Sequence, residues 1–101
     1  MGDMKVFRLK ELLRETFQVL YFASAKEAAG VASDVISLEE NTTELDIPAL
    51  FEKLETMHPK LKQKRIFLSV AVAINHEYVE VEDGKIHAGD EVAIIPPVSG
   101  G

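Results

Sequence analysis

Apolar residues fall in short blocks whose period changes along the chain, and the changes mark the elements. Thr16–Ala23 is rich in β-branched and aromatic side chains and short enough for a strand. Phe17, Val19 and Tyr21 would line one face and Gln18, Leu20 and Phe22 the other, so both faces are substantially apolar. Next comes Ser24-Ala25-Lys26-Glu27, with capping-box spacing, then Ala28, Ala29 and Gly30, which predicts a short helix stopped by the glycine. Asp34–Leu38 alternates weakly as a second strand, and Glu39–Glu44 is a polar connection. Asp46 sits at an N-cap position and Pro48 in the first turn. Ile47, Leu50, Phe51, Leu54 and Met57 then recur at helical spacing, which predicts the main helix with its stripe in the core, ended by Pro59. Ser69–Asn75 reads as a buried strand and Glu77–Val81 as a short one. Asp83-Gly84 makes a turn, and Val92–Ile95 is the last strand.

Strand, short helix, strand, long helix and further strands in about 100 residues suit an α+β fold. Its form would be a mixed sheet wrapped over one main helix, of the β-grasp kind. The domain would cover residues 16–95. Residues 1–15 form an N-terminal extension with a weak helical stripe of Val6, Leu9 and Leu13 among charges, helical or flexible. Residues 96–101 form an extended tail.

A chain of 101 residues supports one core but no deep enclosed site, so function is expected to need a partner. The net charge of -6 disfavours nucleic acid as that partner, although Lys60, Lys62, Lys64 and Arg65 form one basic run. No run approaches the roughly 20 apolar residues of a membrane span. The first residues carry no signal-peptide plan, so no membrane role is expected and the cytosol is the expected location. Zero cysteines exclude disulfides, thiolate metal sites and cysteine nucleophiles.

His58, His76 and His87 lack metal-ligand spacing, the serines lack a nucleophile elbow, and the glycines form no phosphate loop. Gly84 and Gly89 read as turn residues that admit positive φ. What remains is the end of the chain, Pro96-Pro97-Val98-Ser99-Gly100-Gly101. Pro-Pro favours an extended backbone, and Gly-Gly has no Cβ to obstruct close approach. Six such residues reach on the order of 20 Å, enough to enter a tunnel in another protein. A terminal carboxylate is ionised and inert at pH 7, so its use would require an ATP-consuming partner that converts it to an acyl-adenylate. Displacement by a sulfur donor would leave a thiocarboxylate; displacement by a lysine amine would give an isopeptide bond. The residues alone permit both.

Four segments carry a family resemblance: Val19-Leu20-Tyr21-Phe22-Ala23, Lys26-Glu27, Val72-Ala73-Ile74-Asn75, and Gly89-Asp90-Glu91-Val92 running on to Pro96-Pro97-Val98-Ser99-Gly100-Gly101. From about Phe17 to Gly101 the chain resembles the small, sulfur-carrying subunits of molybdopterin synthase. It resembles the thiamine sulfur carrier, the tRNA-thiolation modifier and ubiquitin-related protein modifiers less. The resemblance implies a β-grasp fold and a thiocarboxylate carried on Gly101, with Gly100 keeping the tail narrow. It also implies a large catalytic subunit as partner in a heterotetramer of two small and two large subunits. A ubiquitin-activating-like adenylating enzyme would consume ATP, and no cofactor would be bound by the chain itself. Phe22, Tyr78 and Ile95 match an apolar docking patch of the family, with Pro96, Pro97, Val98 and Ser99 continuing the interface.

Overall fold

The computed structural model describes residues 15–97. The elements in order are β1 (Thr16–Tyr21), α1 (Ala23–Ala29), β2 (Ser33–Ser37), β3 (Glu44–Asp46), α2 (Ile47–Met57), α3 (Pro59–Gln63), a 3-10 turn (Ile66–Leu68), β4 (Ala71–Ile74), β5 (Glu77–Val79), β6 (Lys85–His87) and β7 (Glu91–Ile95). Five strands form one mixed sheet in the order β2-β1-β7-β4-β5, while β3 and β6 form a separate antiparallel pair. Strand β7 lies in the middle, parallel to β1 and antiparallel to β4. The expected α+β arrangement, a mixed sheet over one main helix, is the one observed.

Alternation decides which face holds the core. Phe17, Val19 and Tyr21 of β1, Val72 of β4, and Val92 and Ile94 of β7 are buried on one side of the sheet. The helices add Ala25, Ala28, Ile47, Leu50, Leu54 and Leu61 to the same cluster. Burying each Val, Leu, Ile or Phe side chain among them stabilises the fold by about 1.5–3 kcal/mol. Asp46 caps α2 as expected, its carboxylate accepting the Ala49 amide at 2.8 Å. Gly30 ends α1 with φ 78°, its amide returning to the Lys26 carbonyl at 2.9 Å.

Four expectations are corrected. The Ser24 capping box does not form, because the chain enters α1 at Phe22, whose carbonyl accepts the Ala25 and Lys26 amides, and Ser24 falls inside the first turn. Pro59 does not simply stop α2 but opens α3, as proline can at a first-turn position. The connection read over Glu39–Glu44 ends in strand β3, which pairs with an unanticipated β6; each has a single apolar residue, Leu45 or Ile86, between polar neighbours, too little for alternation to reveal. Met57 stands outside the core at 43% exposed, at the outer end of its stripe.

Candidate functional site

The sheet face opposite the helices carries no covering element among the described residues. Register places Leu20, Ala93, Ala73 and Tyr78 in one row across β1, β7, β4 and β5. One step towards the chain's end, Ala71 pairs with Ile95, and Phe22 continues β1 beside Ile95, its amide donating to the Ile94 carbonyl at 3.2 Å. The result is a shallow apolar trough floored by alanines, with Leu20 and Phe22 on one flank and Tyr78 on the other. Phe22 is 46% exposed and Tyr78 75%, while Ile95 is half-buried. The family resemblance named Phe22, Tyr78 and Ile95; it did not name the alanine floor, whose members read as ordinary small strand residues.

The tail begins at the same edge of that trough. Strand β7 is held on both sides, so its exit direction is fixed. Pro96 has no amide to continue a ladder and is itself buried, whereas Pro97 is exposed. Val98, Ser99, Gly100 and Gly101 lie outside the described residues.

Side-chain chemistry sits elsewhere. Asp90 accepts the His87 backbone amide at 2.7 Å and the Asn75 side-chain amide at 2.9 Å, and the Asn75 side-chain Oδ1 accepts the Glu91 backbone amide at 3.0 Å. Gly89 turns there with φ 85°, its amide donating to the Thr16 carbonyl at 2.7 Å. These are the signature residues of the Gly89-Asp90-Glu91 and Asn75 segments, and they stand at the start of β7, about 17 Å of strand away from the tail. Their role is to hold the turn that sets β7 between its neighbours. Gly84, in contrast, is required by close approach and not by φ: a Cβ there would lie 2.5 Å from the Ile47 Cδ1 and 3.1 Å from a Val79 methyl.

A second polar cluster ties the helices to the sheet. The Tyr21 hydroxyl donates to Asp34 Oδ2 at 2.8 Å, His58 Nε2 approaches the same oxygen at 2.7 Å, and the two rings meet edge to face. Burial first, then the bond to Asp34, pushes the Tyr21 phenol well above its ordinary value. Among the described residues no group of His, Asp and Glu could hold a metal ion, and none joins a nucleophile to a base beside the trough. No helix among them is long and apolar enough to cross a membrane.

A mixed five-stranded sheet with its helices on one face and an uncovered apolar trough on the other is an α+β arrangement of the β-grasp class. The chain belongs to the ThiS family, whose model matches residues 19–101. It is 45% identical over 89 residues to the molybdopterin synthase sulfur carrier subunit of Aspergillus niger, covering 85% of this chain and 94% of the relative. To the human molybdopterin synthase sulfur carrier subunit it is 41% identical over 86 residues, covering 83% and 92%. Among solved structures, a Pyrococcus furiosus protein assigned as molybdopterin converting factor subunit 1 superposes with TM-score 0.65 at 30% identity, covering 83% of this chain and 99% of that one. SAMP1 from Haloferax volcanii gives TM-score 0.67 at 27% identity, covering 85% and 99%. A Helicobacter pylori chain from a complex of subunits 1 and 2 of molybdopterin-converting factor gives 0.57 at 22%, covering 85% and 99%, a likeness of fold.

Proposed function

We propose that this chain is the sulfur carrier subunit of a molybdopterin synthase and works through its terminal carboxylate. Residues 16–95 present the tail, residues 96–101 carry the cargo, and residues 1–15 stand apart from the chemistry. The observation that supports this most is the placement of Phe22, Ile95 and Tyr78 around the root of the tail, in a chain 45% identical to a sulfur carrier subunit. An adenylating enzyme of the ubiquitin-activating type joins a Gly101 carboxylate oxygen to the α-phosphorus of ATP, and pyrophosphate leaves. Sulfide released by a sulfur donor then attacks the acyl carbon; the C–S bond forms as the C–O bond to AMP breaks, leaving a thiocarboxylate and AMP. The carrier itself binds no cofactor.

The large catalytic subunit receives that end, in an assembly of two small and two large subunits in the cytoplasm. The thiocarboxylate sulfur forms a C–S bond to a carbon of a cyclic pyranopterin precursor as that carbon's C–O bond breaks; water then cleaves the acyl C–S bond, returning the carboxylate and leaving the sulfur on the pterin, and a second charged carrier supplies the second sulfur of the dithiolene. Gly100 lets the end pass a narrow tunnel in the partner, with Pro96 to Ser99 contacting the partner along the way, while the trough docks on it. Incubation with the adenylating enzyme, ATP and a sulfur donor should raise the intact mass by the difference between sulfur and oxygen, and only when Gly101 is present. A ladder of lysine-linked conjugates with no such gain would assign the chain to the modifiers instead.

A further inference from the structure

Strand β2 is an outer strand of the five-stranded sheet, with β1 on one side only. The Tyr21 amide donates to Ala32 and the Leu38 amide to Glu15, so in this antiparallel pair the alternate residues Ser33, Val35 and Ser37 turn their backbone groups to the free edge. Between that edge and α2 runs a groove of about 680 Å³ lined by Val35, Ser37, Glu39, Glu40, Lys53 and Met57. Val35 is 69% and Met57 43% exposed, two large apolar side chains without a covering group among the described residues. An open edge flanked by apolar side chains is a site for unwanted strand pairing, and proteins commonly cover one with a helix or loop.

We propose that residues 1–14 of this chain are the cover. Glu15 is hydrogen-bonded to Leu38 at 2.8 Å, so the segment leaves the domain at the groove's own rim. Its Val6, Leu9 and Leu13 recur at helical spacing, and Lys5, Arg8, Lys10 and Arg14 outnumber Asp3 and Glu11. The acidic pair Glu39 and Glu40 at the rim complements that excess, and Lys53 suits Glu11. Fourteen residues wound as a helix run about 21 Å, against about 17 Å for the five residues of β2. A helix of that length therefore suffices to cover the edge with about two or three residues to spare for the turn.

The natural chain has no cysteine, which makes pairwise oxidation a clean test. In the full chain, Leu9→Cys with Met57→Cys should close an intramolecular disulfide at least tenfold faster than Leu9→Cys with Leu68→Cys. Leu68 is more exposed than Met57, 77% against 43%, but precedes β4, three strands from β2 in the sheet. Reversing the charge of both Glu39 and Glu40 to lysine should slow the first reaction severalfold. Equal rates for the two pairs would overturn the proposal. So would a first pair that forms disulfide-linked dimers, because a second copy would then be the occupant.

Discussion

Phe22 and Ile95 stand side by side on parallel neighbouring strands, on the sheet face that the helices leave open and at the point where the tail departs. A side chain almost half exposed contributes little to its own fold, so its large apolar surface is available to a partner. Phe22→Ala should weaken binding to the large subunit by about 1–3 kcal/mol, the range of a central interface anchor. Calorimetric titration checks this, with Val31→Ala, also exposed but on the α1–β2 connection, as the variant that should bind normally. Unchanged affinity for Phe22→Ala with an intact fold would contradict the docking role of the trough.

The core face should respond in the opposite way. Leu54 is fully buried in the cluster under the sheet, and Leu54→Ala should cost about 2–5 kcal/mol of stability in denaturant melts. At a temperature where the variant remains folded, its binding should be close to normal.

Two glycines should fail for different reasons. Gly84→Ala puts a methyl against Ile47 and should cost about 1–3 kcal/mol as overpacking, partly restored by Ile47→Val, which removes the Cδ1 that the new methyl meets. Gly89→Ala meets no atom within 4 Å but holds a left-handed backbone, so about 1–2 kcal/mol should be lost and no neighbouring truncation should recover it. Melts of the two singles and the double separate the cases.

Tyr21 makes stability sensitive to alkali. Its phenol titrates higher folded than unfolded, so the native state holds the proton more tightly. That contribution is complete below the unfolded value near 10 and is lost as pH rises above it. The melting temperature should therefore fall on the alkaline side of about pH 10, and Tyr21→Phe should flatten that limb. At pH 7 the same substitution removes one hydrogen bond to Asp34 and should cost about 0.5–1.5 kcal/mol.

How far the sequence carried depended on the length and character of each element. Strand β1 and helix α2 were legible because their periods run over six or more residues, and Asp46 and Gly30 act as the cap signals suggest. Strands β3 and β6 were not legible, since Leu45 and Ile86 are each a single apolar residue between polar neighbours and only pairing across the fold makes the segments strands; β5 is as short, but its alternation runs on to Val81. The Ser24 box was misread because β1 carries its ladder as far as Phe22, and that tertiary bond moved the helix start. At the site, Phe22, Tyr78 and Ile95 were reached through family resemblance, whereas Ala71, Ala73 and Ala93 needed the register. Asn75 and Asp90 lie 15 positions apart, and nothing local in either segment announces that one holds the other.

The most direct test of the account is the rate of dithiolene formation by the large subunit supplied with chain that has been treated with adenylating enzyme, ATP and sulfur donor. The unaltered chain should support turnover. A variant extended by a single alanine after Gly101 should keep its fold and its docking affinity yet deliver no sulfur. Turnover at the normal rate by the extended variant would contradict the claim that the carboxylate of Gly101 is the working group.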